Sequence, residues 1–574
     1  MILLLALLTV QADPLAPLPV TVGARPVVVK PGPPTMFPAL PTPLPSALPA
    51  PLVVPGDWRA EFAAIRRGEW AGAVAGISAL PDGLLKVVAK AELYTARGSP
   101  TVSVDELQAL IGEAPELAQA EQLERLAASR GSVQMMAVPE RPVIGLSSAT
   151  RRGKTRPVVG DALADQLRVA LDPLLKVDAA DAAEELMIQS APLMTSEGRA
   201  EAAQRVAWSY YTLGRDGDAV RVAEAGRAGA SGDWWVAAAW VSGLASWRQN
   251  DCGAAGQRFR EVAGASREAE MVAAASYWGA RAAQACRQPG SVAPLLKAAA
   301  RSTESFYGLV ARQTLGMETR MVAASAADTG AVDDLPNVRR ATALVAIGER
   351  GLADEALRHQ SRIGRAQDQR ALISVAGRLE LVGTQYWLAT NGQPGVAVEA
   401  AARYPRPRWV PQNGWRVDPA LAYGHVIQES NFRAGAVSAA GATGLMQVRP
   451  GTAGDKARAR GVAFFDPASL TDPVINLDYG QAFIELLRTN GATRGQLPRV
   501  IAAYNAGPVP VERWSAIPDK GDPLLWIESI PYWETRYYVP AVMRNMWVYQ
   551  GLSGAEQPSL VALAQHKWPA FPTR

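Results

Sequence analysis

Apolar residues recur at helical spacing through the long stretch from residue 57 to about residue 391. Trp240, Leu244 and Trp247, for example, occupy positions i, i+4 and i+7 and so share one face of a helix. The stretch is rich in Ala, Leu, Glu, Arg and Val, is punctuated by glycine, and contains almost no β-type alternation. This pattern predicts an array of amphipathic helices, each of which needs a partner to cover its apolar face.

A turn sequence repeats within this array. The segment 213–219, which reads LGRDGDA, returns in altered form at 247–252, at an offset close to the ~34 residues of tetratricopeptide helical hairpins. Repeats of this kind stack neighbour on neighbour. The predicted fold class is therefore mainly α, with an N-terminal superhelix or ring of tetratricopeptide-like helical hairpins.

The first residues differ from everything that follows them. Residues 1–12 read MILLLALLTVQA, an apolar run too short to span a bilayer, and we interpret them as a signal peptide. Residues 13–56 contain 14 of the 43 prolines, which favours polyproline II and predicts a disordered linker. A ligand for a proline-reading partner is the alternative. No later run of 18 or more apolar residues appears, so the protein is expected to be soluble, or tethered to the membrane only through an uncleaved signal.

The two cysteines, Cys252 and Cys286, gain a geometric interpretation from the repeat. Helices over 233–248 and 267–285 would be equivalent members of successive hairpins and would run nearly parallel, so both cysteines would lie just beyond matching helix ends. In an exported protein such a pair is expected to form a disulfide, worth about 3 kcal/mol in the loop-entropy account. Two unpaired small apolar side chains are the alternative.

The composition excludes several classes of function but does not by itself identify one. Lys and Arg total 58 against 54 Asp and Glu, a net charge of +4 and a pI of about 9.0, and this basic excess is too weak to indicate a nucleic-acid partner. With three histidines and two cysteines the sequence offers no zinc site, and neither a metal nor an organic cofactor is expected.

The composition shifts at about Tyr404, where a separate domain is expected to begin. The segment that follows contains seven of the sixteen tryptophans. Residues 405–574 also carry 17 Lys and Arg against 13 Asp and Glu, so the net positive charge of the chain resides there. A basic, aromatic-rich domain suits a polymer that offers sugar faces and carboxylates.

One short segment of this domain carries a candidate acid. Residues 420–432 begin as a helix with an apolar face, and Glu429 ends that helix among apolar neighbours, just before Ser430 and Asn431. Burial disfavours the charged form of a glutamate and raises its pKa, which a general acid working near neutral pH requires. On spacing alone, an ordinary solvated glutamate at a helix end is the alternative.

Two later blocks have the composition of a ligand-binding loop and of a helix end. Residues 437–450 hold two glycines and an apolar pair before Gln447, and glycine permits close approach of the backbone to a ligand. Residues 500–508 form an apolar helix that ends in Tyr504 and Asn505 before a Gly-Pro stop. These two side chains are expected to face outward.

Taken together, these motifs resemble those of the soluble lytic transglycosylase family, bacterial enzymes with a goose-lysozyme-like catalytic domain that cleave the glycan of peptidoglycan. The matching motifs, in family order, are IQES at 427–430, GLMQ at 444–447, AYNAGP at 503–508, ESIP at 528–531 and ETRY at 534–537. The stretch FYGL at 306–309 is similar to the end of the family's α-helical superhelix. The resemblance covers roughly residues 57–550 and is strongest in the last third of the chain.

The resemblance implies an order of domains along the chain. After the signal peptide over 1–12 and the proline-rich linker over 13–56, it implies an α-helical superhelical domain of the U type over 57–318. A helical linker domain over 319–403 and a lysozyme-like transglycosylase catalytic domain over 404–574 would follow.

The resemblance also implies roles for individual residues. Glu429 would be the single catalytic acid and base, protonating the glycosidic oxygen between N-acetylmuramic acid and N-acetylglucosamine. The substrate-binding residues that it implies are Ser438, Gln447, Arg449, Tyr504, Asn505 and Glu534. Gln447 and Tyr504 would hydrogen-bond the saccharide, Ser438 would line the site and Glu534 would support the cleft.

Two positions depart from the family pattern. Arg449 stands where family members often have Met, and Val509-Pro510 replaces the usual second Gly and Arg. These departures bear on the contacts with the stem peptide and on the shape of the loop.

The mechanism follows from a missing second carboxylate. Glycosidases generally flank the scissile bond with two carboxylates, whereas here Glu429 alone sits in a motif of that kind. The resemblance implies that the 2-acetamido carbonyl stabilises the anomeric cation and that the muramyl 6-hydroxyl attacks it, with Glu429 now as base. The product would be a 1,6-anhydromuramyl end.

Two other functions are compatible with the sequence. One is a non-catalytic peptidoglycan-binding scaffold whose helical array binds protein partners, as tetratricopeptide-like arrays often do. The other is a muramidase that hydrolyses the same bond. The expected partners are peptidoglycan glycan strands, with cell-wall synthesis or division proteins on the helical array and no nucleic acid, and the protein is expected to be a periplasmic monomer.

Overall fold

The computed structural model describes residues 55–132, 136–146, 152–325, 327–462 and 465–572. The expected signal peptide, and the proline-rich segment up to residue 54, lie outside these residues. Contacts divide the described chain into two units. The first runs to Val138 and includes Ala343–Glu349, and the second comprises Pro139–Thr342 and the residues from Arg350 onward. None of the helices in the described ranges is both long and apolar enough to cross a membrane.

The first unit is built from short helices, two of which begin with a side-chain cap. Its first five helices are α1 (Trp58–Arg67), α2 (Trp70–Ala79), α3 (Leu84–Thr95), α4 (Val104–Glu113) and α5 (Ala120–Ala128). Ser103 and Glu106 form a reciprocal capping box at the start of α4, which satisfies backbone N–H groups that a helix start leaves without partners.

The second unit begins with the helical array. It contains strand β1 (Ile144–Gly145) and the helices α6 (Ala162–Lys176), α7 (Ala180–Ser190), α8 (Ser196–Thr212), α9 (Asp216–Arg227), α10 (Gly232–Arg248), α11 (Cys252–Ala265), α12 (Ala269–Ala285), α13 (Pro289–Ala300) and α14 (Phe306–Thr314), with a 3-10 turn at Ala191–Leu193. Each helix from α8 to α13 packs on its neighbours in the chain. The turn inside each successive pair contains a residue in the left-handed region, namely Asp178, Gly214, Asn250 and Arg287. The predicted helical hairpins are therefore confirmed.

The apolar faces predicted for this array are buried. Trp240 and Leu244 of α10 are 5% and 0% exposed, and Trp247 on the same face is half-buried. Cys252 begins α11 and Cys286 caps the C-terminal end of α12. The structure joins the two cysteines in a disulfide with their Cα atoms 5.6 Å apart, so the bond links two successive hairpins at the end where they meet.

A smaller group of helices follows the array. Its members are α15 (Gly330–Asp333), α16 (Pro336–Ala346), α17 (Arg350–Ile363), α18 (Gln369–Arg378) and α19 (Val382–Thr390), then strand β2 (Asn391–Gly392) and 3-10 turns at Ala366–Asp368 and Ala400–Arg403. Strand β2 pairs with β1 in antiparallel register. The boundaries 57–318 and 319–403 stay a prediction.

The C-terminal domain is also mainly helical. Its helices are α20 (Pro419–Ser430), α21 (Pro450–Ala459), α22 (Pro473–Thr489), α23 (Leu497–Ala506), α24 (Pro508–Arg513), α25 (Pro523–Glu528), α26 (Trp533–Leu552) and α27 (Pro558–Ala564), with 3-10 turns at Pro467–Thr471 and Trp514–Ala516. Helices α20 and α26 pack directly on each other. They approach closely because α20 has a glycine at the crossing: a Cβ on Gly424 would lie 2.9 Å from the carbonyl oxygen of Val542.

The array and the C-terminal domain meet within the second unit at a buried carboxylate. Both guanidinium nitrogens Nη1 and Nη2 of Arg152 donate to Glu528, at 2.8 and 2.9 Å, and the hydroxyl of Tyr307 donates to the same side chain at 2.7 Å. The hydroxyls of Tyr211 and Ser529 are 2.7 Å apart beside it. Two of the motifs, ESIP at 528–531 and FYGL at 306–309, thus meet at this interface.

Candidate active site

The candidate acid lies at the end of α20, a largely buried helix of the C-terminal domain. Residues 420–427 of α20 are all buried, so the helix is covered on every side rather than on one face. The helix stops because Asn431 takes the left-handed conformation, with φ 51°, which asparagine tolerates better than most residues. Glu429 therefore sits in the last turn, where its side chain is partly shielded from solvent.

The Glu429 carboxyl group has one close hydrogen-bond donor, the hydroxyl of Tyr538 on α26, which contacts its Oε1 atom. The pKa of Glu429 is raised from 4.5 to about 7. Burial is the largest cause, the hydrogen bond from Tyr538 acts in the opposite direction, and the negative charge of Glu534 adds to the rise. Near neutral pH a substantial fraction of this carboxyl is therefore protonated and able to act as a general acid.

A histidine lies directly behind Tyr538. The Nδ1 atom of His425 is 2.7 Å from the hydroxyl oxygen of Tyr538. His425 is fully buried, and burial lowers its pKa to about 3. The imidazole is therefore neutral at any pH near neutrality.

Tyr504 connects the candidate acid to the glycine-rich block. Its hydroxyl donates to the carbonyl oxygen of Met446 at 2.8 Å. Its ring packs against His425 and Phe483, with ring centroids 4.4 and 5.4 Å away. Burial and the charge of Glu429 raise its pKa well above the ordinary value. The ring is thus packed inward, which differs from the outward orientation expected from its place near a helix end.

The glycine-rich block is held in shape by a buried asparagine. Asn476 accepts from the backbone N–H of Met446 at 2.8 Å and donates to the carbonyl of Thr443 at 2.9 Å. Gly444 has φ 81°, and a Cβ there would lie 2.2 Å from both Asn476 Nδ2 and the carbonyl oxygen of Leu470. Only glycine fits this position, so the first residue of the Gly-Leu-Met-Gln motif is required by the conformation and close packing of the backbone.

Two predicted sugar contacts lie on this block and help to fold it. Gln447 has φ 47°, and its Nε2 donates to the carbonyls of Ala436 and Gly444 at 3.1 and 3.0 Å. Ser438 is exposed, and its Oγ accepts from the backbone N–H of Ala442 at 3.0 Å. Both side chains shape the loop from which they would reach a ligand.

The remaining predicted residues lie on neighbouring elements. Asn505 Nδ2 is 3.4 Å from the Oε1 atom of Glu534, and the Oδ1 of the same asparagine accepts from Thr535 at 2.6 Å. Glu534 is exposed in the first turn of α26. Arg449 is half-buried at the residue that precedes α21. The structure thus brings Glu429, Tyr504, Asn505 and Glu534 together, with Ser438, Gln447 and Arg449 on the adjoining loop.

Within the described part of the chain, no three His, Cys, Asp or Glu side chains come together as a metal-ion site.

The sequence interpretation missed two members of the site. Tyr538 directly follows the ETRY motif at 534–537, and His425 lies one helical turn before Glu429. Helical spacing alone would have placed His425 on the same face as Glu429. The role of Tyr538 depends on the packing of α26 against α20, which no local signal reveals.

These features define a class of protein: an α-rich domain with a single, partly buried glutamic acid beside a glycine-shaped loop, attached to an array of helical hairpins. Residues 410–527 match the family described as "Transglycosylase SLT domain". The soluble lytic murein transglycosylase of Escherichia coli K12 is 30% identical over 155 residues, which are 27% of this chain and 24% of that protein. The putative soluble lytic murein transglycosylase of Haemophilus influenzae is 35% identical over 134 residues, 23% of this chain and 22% of that protein. The aligned segments thus span about a quarter of these relatives' length.

The similarity of fold extends much further than the similarity of sequence. The structure of a lytic transglycosylase from Pseudomonas aeruginosa matches with a TM-score of 0.57 and 18% identity over 89% of this chain and 88% of that chain. The 70 kDa soluble lytic transglycosylase from Escherichia coli matches with a TM-score of 0.54 and 16% identity over 90% of this chain and 99% of that chain. The fold is thus the expected one, helical hairpins followed by a lysozyme-like α-rich domain. The resemblance of this chain to the soluble lytic transglycosylase family is confirmed.

Proposed function

We propose that this protein is a peptidoglycan lytic transglycosylase that cleaves the β-1,4 bond between N-acetylmuramic acid and N-acetylglucosamine. The observation that carries the proposal is the environment of Glu429, whose pKa is raised to about 7 mainly by burial. A glycan-binding scaffold has no need of a carboxyl held at the pKa of a general acid. The match of residues 410–527 to the transglycosylase SLT domain supports the same conclusion.

In the proposed reaction, Glu429 first acts as an acid. The bond between C1 of the muramyl sugar and the glycosidic oxygen breaks, and the carboxyl proton passes to that oxygen. The 2-acetamido carbonyl of the sugar stabilises the positive charge that develops at C1. Glu429 is then a carboxylate and acts as a base: the 6-hydroxyl of the same sugar attacks C1 and its proton returns to Glu429. Tethered attack of this kind corresponds to an effective molarity on the order of 10⁵ M or more, so it can outrun attack by water.

The other residues of the site would bind and orient the glycan. We assign hydrogen bonds to the saccharide to Gln447 and Tyr504 and a place along the cleft wall to Ser438 and Arg449. Asn505 and Glu534 would support the side of the cleft formed by α26, because Asn505 contacts both Glu534 and Thr535.

The proposed setting is the periplasm. Residues 1–12 would direct export, residues 13–56 would act as a spacer, and residues 404–574 would form the catalytic domain after a superhelical domain over 57–318 and a linker domain over 319–403. The protein would act as a monomer on glycan strands, with the helical array available to cell-wall synthesis or division proteins. The Cys252–Cys286 disulfide fits an oxidising compartment.

Mass spectrometry of the fragments released from purified peptidoglycan sacculi tests this function. The intact chain is expected to release fragments that end in 1,6-anhydromuramic acid, and the Glu429→Gln variant is expected to release at least 100-fold less while still binding sacculi. Fragments with mainly hydrated, reducing ends would identify a hydrolase instead. Equal release by the variant would remove Glu429 from the chemistry.

A further inference from the structure

His425 lies beneath the candidate acid, and the proposed reaction does not yet use it. It sits on α20 one turn before Glu429, and its side chain is fully buried. Its Nδ1 is 2.7 Å from the hydroxyl of Tyr538, which in turn contacts Oε1 of Glu429. The three side chains therefore form an uninterrupted chain of hydrogen bonds that ends at the carboxyl group.

The chemistry of the phenol fixes the direction of this chain. A tyrosine hydroxyl has one hydrogen to donate. When Tyr538 donates it to Glu429, its oxygen can only accept from His425, so Nδ1 of His425 must carry the proton. Nε2 of His425 is buried and makes no hydrogen bond within the described residues. With the proton on Nδ1, the unpartnered Nε2 is the unprotonated nitrogen of the ring.

Few other groups act on the carboxyl. Helix α26 contributes Tyr538 and the negative charge of Glu534, and α23 contributes Tyr504. None of the ion pairs among the described residues includes Glu429. His425 itself is packed between the rings of Tyr504 and Tyr538. Because burial keeps the imidazole neutral, it donates its hydrogen bond without changing charge across the working pH range.

We propose, on the basis of the function proposed above, that His425 is a positioning residue which holds Tyr538 as a permanent donor to Oε1 of Glu429. The proton that Glu429 transfers then resides on Oε2, the oxygen that Tyr538 does not contact. His425 also polarises the Tyr538 hydroxyl, which stabilises the carboxylate that forms after the first step. Without this donor the carboxylate is stabilised less, and the pKa of Glu429 rises.

Titration of the Glu429 carboxyl in the intact chain tests this role without substrate or turnover. Infrared difference spectra against the matching Glu429→Gln protein isolate the carboxyl band and follow it with pH. We expect His425→Leu, which is similar in size and has no donor, to raise the pKa of Glu429 by about half a unit to one unit, the equivalent of one lost hydrogen bond.

Two amide variants distinguish the effect of losing the Nδ1 hydrogen-bond donor from the effect of changing the size of the side chain. His425→Asn places an N–H group near the position of Nδ1, and His425→Gln places it near Nε2. We expect the Asn variant to titrate within about 0.3 units of wild type and the Gln variant to behave like the Leu variant. Equal titration of Glu429 in wild type and all three variants would overturn the proposal, as would equal shifts in the Asn and Gln variants.

A double-variant cycle tests whether His425 acts through Tyr538. In a Tyr538→Phe background, His425→Gln is expected to add no further shift, because the connecting hydroxyl is gone. A shift of the same size in both backgrounds would contradict the relay. Thermal unfolding of each variant shows which of them are folded, and only folded variants are compared in the cycle.

The pH dependence of sacculus lysis links the relay to catalysis. Activity requires protonated Glu429 and so falls as pH rises through its pKa. We expect the alkaline limb of kcat/KM to move upward in His425→Leu by the same amount as the titration, with KM changed less than about twofold. If the pKa of Glu429 shifts in His425→Leu but the alkaline limb of kcat/KM does not move, the role of His425 in the reaction is overturned. Absence of lysis by wild type would refute the proposed function, and the titration would still decide the relay.

Discussion

Two glutamates of the C-terminal domain each accept a hydrogen bond from a tyrosine, but among the described residues only Glu528 is paired with a cation. Glu528, at the array, is 2% exposed, and Arg152 donates to both of its oxygens while Tyr307 donates at 2.7 Å. Glu429 has the hydroxyl of Tyr538, but no ion pair among the described residues includes it. The guanidinium, and not the tyrosine, distinguishes the two sites.

The presence or absence of a paired guanidinium determines what each carboxyl can do. A buried carboxylate paired with a guanidinium forms a directional, two-point contact, and this suits a fixed junction between two parts of a chain. A carboxyl that burial shields without a compensating cation keeps its proton to a higher pH. The same residue type therefore serves as structure at one site and as a candidate acid at the other.

The largest expected effect comes from breaking the junction. Arg152→Leu leaves Glu528 buried beside Tyr307 without its cation, and it should lower the free energy of unfolding of this unit by about 3–5 kcal/mol. Denaturant unfolding followed by circular dichroism measures the change. In the double variant Arg152→Leu, Glu528→Gln most of the loss should be recovered, because residue 528 no longer carries a buried charge that has lost its Arg152 partner. A single variant as stable as wild type would show that the ion pair does not hold the junction.

Glu429→Gln, in contrast to Arg152→Leu, should increase the free energy of unfolding. The pKa of Glu429 is about 7 in the folded state against an ordinary value of 4.5, so between these values the folded protein binds more protons than the unfolded chain. Wild-type stability is then lost as pH rises from about 4.5 to about 7. The variant lacks this loss and should be more stable than wild type by about 1–3 kcal/mol at pH 8, with little difference at pH 4.5. Thermal unfolding at the two pH values measures it; a constant difference would contradict the raised pKa.

Gly424→Ala should weaken the hydrogen bond from Tyr538 to Glu429 and leave the contacts of Glu528 with Arg152 and Tyr307 intact. The added Cβ would lie 2.9 Å from the carbonyl of Val542 and force α20 and α26 apart. We expect a loss of about 1–2 kcal/mol and a higher pKa for Glu429, because Tyr538 moves away. Gly435→Ala is the matched control, since a Cβ there meets nothing within 4 Å. Identical Glu429 titrations in the two variants would mean that the helix crossing does not set the position of Tyr538.

The smallest effect is expected from Glu534→Gln. The charge of Glu534 is the weakest of the three causes that shift the pKa of Glu429, and its side chain is exposed. The pKa of Glu429 should fall by at most about half a unit, and the difference should shrink at high salt because exposed charges are screened. Glu556→Gln, also exposed, is the control and should leave the alkaline limb of activity where it is. A salt-independent shift would point to a structural effect instead.

Much of the fold could be predicted from periodicity. Trp240 and Leu244 are buried as their spacing predicts, and the repeated turn places Cys252 and Cys286 at bonding distance. These features are local or repeat at short intervals, so the sequence carries them directly. The placement of Glu429 in the last turn of a helix was predictable for the same reason.

The site itself was predictable only in part. Tyr538 is 109 residues from Glu429 and 113 from His425 in the chain, so their contacts arise from the packing of α26 on α20. Tyr504 was expected to face outward because it lies near a helix end, but its ring packs against those of His425 and Phe483 and is half-buried. Tertiary packing decides both cases, and a pattern of apolar residues does not specify which helices pack together.

The proposed chemistry depends on the carboxyl of Glu429, which has no ion-pair partner in the part of the chain that the structure describes, holding a proton near neutral pH. Infrared titration of the wild-type chain, with the Glu429→Gln protein subtracted, measures this directly. The surroundings of Glu429 predict a midpoint at about pH 7. A midpoint near 4.5, the ordinary value for glutamate, would contradict the role of Glu429 as a general acid near neutral pH.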